Sequence, residues 1–298
     1  MVSLVDMCIT SCSPRAGFFL FMDNITLVQL IVTTLSLRGS IMNKIAKVWA
    51  TCIQKGGGTK TTTCGATAHI LSEMGYKVLV GDLDNQGNVS SLLLGKDIDE
   101  FYQHTLFDAM VKGNVDGCVY KVNDNLHIIP ADDHTATFPR WLYTKYKGDV
   151  NLVLKRTLEP LKSEYDYILI DTPPALSDHT INALAFVDGV IITFVPEEYC
   201  YTAIGRFLTT AKIAQQKNNP NLKILGMLCG KIDYRRSDHK AYLKEARDTY
   251  KGFVFDTEIK ERAATGRLSS YGFINNPELD SAIEFYKIFV QELLQRGI

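Results

Sequence analysis

Lys55-Gly56-Gly57-Gly58-Thr59-Lys60-Thr61-Thr62 is the segment of this 298-residue chain with the most evident chemistry. A polyphosphate packs several negative charges together, and holding it takes backbone N–H donors that converge from a tight turn. Three consecutive glycines permit that turn and a close approach of the backbone. A helix starting directly after them aims its unpaired N–H groups and positive dipole end at the same anion. Lys60 then reaches the β- and γ-phosphates, and the Thr61 hydroxyl ligates Mg²⁺. The bland alternative is a glycine-rich turn with a chance Lys-Thr pair. Context separates the two, because the phosphate loop requires a strand before the glycines and a helix after them.

The flanking pattern supplies both. Val48–Ile53 reads as a buried strand, and Lys60–Met74 as a helix stopping at Gly75. Further strands are expected at Lys77–Gly81, Leu126–Pro130, Tyr167–Ile170, Val190–Val195 and Lys223–Leu228, with a weaker one at Gly252–Phe255. Helical patterns lie at Leu152–Leu161, Thr202–Gln216, Lys240–Tyr250 and Leu279–Arg296. Short apolar runs alternating with amphipathic helices predict an α/β fold, a mostly parallel twisted sheet flanked by helices on both faces, and the glycine-rich loop between its first strand and helix makes the P-loop NTPase type the expectation.

Lys55 makes the loop more specific. K-G-G-x-x-K-T-T resembles the deviant Walker A motif of the ParA/MinD family, whose usual form is K-G-G-x-G-K-[ST]. Asp82-Leu83-Asp84-Asn85-Gln86-Gly87-Asn88 is similar to the family's D-x-D-P-Q-G-N segment, with Asn85 in place of the common Pro. Tyr165-Asp166-Tyr167-Ile168-Leu169-Ile170-Asp171-Thr172-Pro173-Pro174 resembles its Walker B strand and the switch that follows. The resemblance covers most of residues 42–298 in order. It implies ATP and Mg²⁺ as ligands, and slow hydrolysis in which Lys55, Lys60 and Asp84 take part. Lys55 reaches the partner's phosphates across a nucleotide-sandwich homodimer. Asp84 orients or activates the attacking water, Asp171 holds Mg²⁺ through a water, and Thr61 and Asp84 complete the metal's surroundings. Taken singly, Asp84 equally suits a strand-to-turn boundary and Asp171 a helix cap.

One residue departs from the motif. The family's glycine before the catalytic lysine is Thr59 here, with Gly58 at the usually variable position. A β-branched residue in the conformation that such a glycine tends to adopt carries strain of about 1–3 kcal/mol. This bears on turnover more than on nucleotide binding. Gly230-Lys231-Ile232-Asp233 faintly resembles the N-K-x-D guanine reader, but Gly stands where Asn is required, and adenine remains the expectation.

Composition narrows the partners. A formal net charge of −1 argues against coating nucleic acid by bulk attraction, though not against a local basic patch. The seven cysteines are scattered without a C-x-x-C pair and read as reduced thiols of a cytoplasmic protein. Residues 1–41 are expected to lie outside a ParA-like domain spanning 42–298. They are too polar at their middle for a membrane span and lack a signal-peptide pattern, so they read as a tail or mis-start, or else a docking segment. The last helix is apolar around its girth with Lys287 and Arg296 as its cations, unlike a membrane-targeting helix, and is expected to pack on the core. Membrane attachment is therefore not expected.

The ParA-like alternative is non-specific DNA binding as an ATP dimer, with nucleoid association in that state and a ParB-like centromere-binding partner. Arg206, Arg235, Arg236 and Lys240 are the candidate DNA contacts. A solvated helix face balanced by Glu245 and Asp248 explains the same residues. Arg140–Lys147 reads as either a partner surface or amphipathic packing. Plasmid or chromosome partitioning is the leading expectation. A nucleotide-binding positioning module with weak hydrolysis, or a relative carrying a protein cargo, stands beside it. Cys118 and Cys200 do not fall at spacings that suit a cluster-bearing reductase.

Overall fold

Strict alternation inside short apolar runs decides how this chain layers. The computed structural model describes residues 45–52, 59–261, 273 and 277–296. The expectations for residues 1–41 and for Lys55, Gly56, Gly57 and Gly58 lie outside the described residues. In chain order the elements are β1 (Lys47–Cys52), α1 (Lys60–Glu73), β2 (Val78–Asp82), α2 (Asn88–Leu94), α3 (Leu106–Lys112), β3 (Tyr120–Lys121), β4 (Leu126–Ile129), α4 (Phe138–Thr144) and α5 (Val153–Leu158). Then follow β5 (Tyr167–Asp171), α6 (Asp178–Phe186), β6 (Gly189–Phe194), α7 (Cys200–Lys217), β7 (Lys223–Ile232), α8 (Ser237–Thr249), β8 (Val254–Lys260) and α9 (Pro277–Gln295).

The strands form one sheet in the order β3-β4-β2-β5-β1-β6-β7-β8. β3 is antiparallel to β4, and every other pairing is parallel. In β1, Val48, Ala50 and Cys52 join Ile168, Ile170, Val190 and Ile192 in a layer covered by α3–α8. Trp49 points the other way, with Tyr167 and Leu169, into a second layer covered by α1, α2 and α9. The predicted mostly parallel sheet with helices on both faces is thus what forms, and its strands are apolar on both sides because both sides are covered.

Three departures from the sequence reading have local causes. The helix expected over 152–161 is α-helical only to Leu158 and continues as a 3₁₀ turn over Glu159–Ser163, because Pro160 has no N–H for the α ladder. Its first turn is capped from another element: Asn182 Oδ1 on α6 accepts from the N–H groups of Val153 (3.0 Å) and Leu154 (3.2 Å). β8 runs on to Lys260, with Asp256 and Lys260 exposed as suits a sheet edge. The final helix packs on the core against α1 and β8 as expected, yet it is one-sided. Ala282, Ile283, Tyr286, Phe289, Val290 and Leu293 are buried, while Glu284, Lys287, Ile288 and Gln291 face outward.

Parallel pairing sets the register that matters for chemistry. Thr51 of β1 and Asp82 of β2 are both Cα partners of Asp171 in β5. Three polar residues therefore stand side by side at the carboxyl ends of adjacent central strands, where parallel α/β sheets build their sites.

Candidate functional site

Thr59 closes the glycine-rich segment and starts α1. Its backbone is left-handed, φ 63° and ψ 6°, and its carbonyl accepts the first helical hydrogen bond, from Thr63 N–H at 2.8 Å. The conformation that the sequence made costly for a β-branched residue is the one observed. The Thr59 side chain makes no cap hydrogen bond, and no acidic residue lies in the helix's first turn. The N-terminal N–H groups and dipole of such a helix suit an anion. Lys60 is buried there, and Thr61 and Thr62 are half-buried in the same turn.

The carboxyl ends of β2 and β5 bring three aspartates to this helix start. Asp171 is fully buried, and its Oδ1 accepts from Thr51 Oγ1 at 3.1 Å. Its Oδ2 is buried without a hydrogen-bond partner among the described residues. Burial pushes this carboxyl up to about 6, Lys60 and the Thr61 hydroxyl pull it back, and Asp84 pushes it further up. Asp82 is also fully buried and is held well above the carboxylate range, first by burial and then by Asp171. It accepts from Asp84 N–H (3.0 Å), Ser90 N–H (3.2 Å) and Ser90 Oγ (2.6 Å). Asp84, nearly buried, accepts from Gln86 N–H at 3.2 Å. The D-x-D segment is thereby wound into a turn that faces Asp84 toward Asp171.

The loop after β5 is pinned at both ends. Thr172 Oγ1 donates to Thr51 O at 2.8 Å, and Thr180 Oγ1 donates to Ala175 O at 2.7 Å. His179 is buried, with Nε2 at 3.0 Å from Thr135 O and Nδ1 at 3.3 Å from Ser177 Oγ. Burial lowers its pKa, with the Thr135 carbonyl opposing.

The structure thus gathers Lys60, Thr61, Asp84 and Asp171 in one place. Asp82, Ser90 and Thr51 join them, none of which the sequence reading assigned a role. Asp82 belongs to the same D-L-D signal, but Ser90 and Thr51 meet it only through the turn and the strand register. No group of three or more His, Cys, Asp or Glu side chains is arranged as a metal cage among the described residues. A Mg²⁺ bound through phosphates and waters needs only one or two carboxylates, and the orphaned Asp171 Oδ2 is a fitting one.

The basic residues are placed differently from a free strip. Arg235 is paired with Asp233 at 2.8 Å and Arg236 with Asp238 at 2.6 Å, so the balancing acids are these rather than Glu245 and Asp248. Lys240 sits 5.9 Å from the Tyr234 ring, and Arg206 is exposed on α7. Asp233 also accepts from Arg235 N–H and Nε, which holds it at about 2, so the G-K-x-D segment ends in an occupied carboxylate. In the Arg140–Lys147 stretch, Leu142 is buried while Arg140, Tyr143, Thr144 and Lys145 are exposed, and Trp141 packs on Phe107 and Phe138.

A match to the AAA domain family spans residues 46–224. The sporulation initiation inhibitor protein Soj of Bacillus subtilis is 32% identical over 230 residues, covering 76% of this chain and 89% of Soj. Among solved structures, cobyrinic acid a,c-diamide synthase of Mycobacterium smegmatis, bound to an ATP analogue and magnesium, superposes with a TM-score of 0.73 at 27% identity. That likeness covers 84% of this chain and 95% of the synthase. A plasmid partition protein from Borrelia burgdorferi is similar with a TM-score of 0.66 at 26% identity, over 84% of this chain and all of that one.

Proposed function

The chain belongs to the ParA/Soj-type P-loop ATPases, and from that premise we propose that it is an ATP-dependent dimerising switch in DNA partitioning. The observation that carries the nucleotide reading is the start of α1, where the Thr59 side chain makes no cap bond, beside Asp171, whose buried Oδ2 has no hydrogen-bond partner among the described residues. Lys60 neutralises phosphate charge, and the α1 N–H groups orient the phosphates. Asp171 and Thr61 are the residues that would hold Mg²⁺, which when bound offsets charge on the β- and γ-phosphate oxygens. Asp84 positions the attacking water, its carboxylate fixed by the turn that Asp82 anchors. The three glycines would complete the cradle, and Lys55 would reach the partner's phosphates across a nucleotide-sandwich homodimer. Residues 42–298 make up this working domain, and 1–41 are dispensable to it.

The ATP-bound dimer binds DNA non-specifically through Arg206, Arg235, Arg236 and Lys240. A ParB-like partner stimulates hydrolysis and release in the cytoplasm, where the ATP form associates with the nucleoid. The plasmid partition protein of Borrelia supports this choice of cargo by its likeness. A second reading rests on Thr59: its left-handed backbone at the loop's exit favours a module that binds nucleotide and turns it over weakly. Hydrolysis of ATP with and without DNA, for wild type, Lys60→Ala and Asp84→Ala, tests both. DNA-stimulated turnover that both substitutions abolish is expected. Tight ATP binding with no turnover in any condition would establish the second reading instead.

A further inference from the structure

Gly230, near the end of β7, lies directly against Thr59. A Cβ built on Gly230 would meet Thr59 Oγ1 at 2.4 Å, Cγ2 at 2.9 Å and Cβ at 3.2 Å. Contacts of the first two kinds are closer than real side chains tolerate. Rotating Thr59 does not relieve them. Threonine carries two heavy substituents on Cβ, and three staggered wells are open to them. Any well leaves at least one of the two in a position less than 3.0 Å from the added carbon. The Thr59 Cβ itself is fixed by a backbone already held in the left-handed region. The next residue, Lys231, is likewise left-handed at φ 51°, inside β7 where its register with β8 shifts between Cys229 and Ile232.

We infer that Gly230 is a positioning residue for the nucleotide site. Its missing side chain seats Thr59, and through Thr59 it fixes where α1 starts and where Lys60 and Thr61 present themselves to the phosphates. The two residues are one device: the site carries a β-branched residue where a turn favours glycine, and the facing strand supplies the glycine. The G-K-x-D segment therefore serves the phosphate end of the site.

This inference rests on the nucleotide reading above, and its test separates the two. Mg–ATP affinity is measured calorimetrically on the full chain for wild type, Gly230→Ala, Thr59→Gly and the double variant, together with each protein's nucleotide-free unfolding midpoint. Gly230→Ala should weaken Mg–ATP binding about tenfold, and the double variant should bind within about twofold of Thr59→Gly alone. Thr59→Ser leaves a single Oγ that can rotate away, and it should also restore binding to Gly230→Ala while keeping the hydroxyl. Wild-type affinity in Gly230→Ala, or a double variant as weak as Gly230→Ala, would overturn the inference. A wild type that does not bind Mg–ATP refutes the proposed function. The seating is then read from the midpoints, where Thr59→Gly must rescue Gly230→Ala and strictly additive shifts would overturn it.

Discussion

Asp171→Asn exchanges a buried carboxylate for a neutral group of the same shape. The pKa of Asp171 is pushed from an ordinary 3.8 up to about 6, chiefly by burial, with Lys60 and Thr61 opposing. At pH 7.5 the ionised form therefore costs the folded chain about 3 kcal/mol relative to the unfolded one. The amide keeps an acceptor for Thr51 Oγ1, and it removes the anion whose Oδ2 has no hydrogen-bond partner among the described residues. It also removes a negative charge that attracts Lys60, which offsets part of the gain. The nucleotide-free variant should be more stable than wild type by about 1–3 kcal/mol, or about 2–10 °C in midpoint. The sign of the pH dependence is specific. Between about pH 4 and 6 Asp171 holds more proton in the folded wild type than in the unfolded chain, so its contribution to stability rises as pH falls through that window. The advantage of Asp171→Asn should therefore shrink from pH 7.5 to pH 5. With ATP present, adding Mg²⁺ should raise the wild-type midpoint and leave the variant unmoved. Thermal unfolding across pH, with and without Mg–ATP, reads all three. A variant less stable at pH 7.5, an advantage that widens toward pH 5, or an undiminished Mg²⁺ effect would refute the reasoning.

Two further outcomes follow from named contacts. Ser90→Ala removes the 2.6 Å donor to Asp82 Oδ2 and the acceptor of Ala131 N–H at 3.0 Å; urea unfolding should show a loss of about 1–3 kcal/mol. Arg235→Ala with Arg236→Ala should lower the salt slope of non-specific DNA binding by about 2 if both meet phosphates in the ATP state, whereas an unchanged slope would show that Asp233 and Asp238 keep them.

The legible and illegible parts of this molecule divide by sequence distance. β1, β2, β5 and β6 were readable because a strand buried on both faces is a continuous apolar run, and α7 and α9 because each is long enough to repeat its apolar face. α2, α3 and α4 have seven residues each and α6 has nine; a pattern of period 3.6 has too few repeats there to declare itself. α3 carried a different signal, the capping box between Thr105 and Asp108. Lys60, Thr61, Asp84 and Asp171 could be found because each lies inside a local motif. Ser90 could not, because its bonds to Asp82 and Ala131 N–H close only when the turn after β2 meets the end of β4. Gly230 was read with its neighbours as a failed base reader, when its partner, Thr59, lies on another element.

Placing Asp82, Asp84 and Asp171 together at adjacent strand ends is a poor choice for stability alone. Burial and mutual repulsion raise Asp82 and Asp171, and a same-shape neutral residue at either position would relieve both terms. Asp82 has a structural return: three donors fix the turn that carries Asp84. Asp171 has less. It accepts the Thr51 hydroxyl through Oδ1, and its Oδ2 is orphaned among the described residues, with Lys60 and Thr61 near enough to the carboxyl to lower its pKa. A buried acceptor in that position costs free energy in the free protein and becomes useful when a cation and phosphates arrive together. Under the proposed function the two unfavourable features, the strained Thr59 and the crowded aspartates, therefore have opposite consequences. Ligand binding relieves the electrostatic crowding, while the strain at Thr59 depends on Gly230 and persists through every step. Of the two, Asp171 is expected to act on how tightly this site binds, and Thr59, seated against Gly230, on where the phosphates sit and so on both binding and turnover.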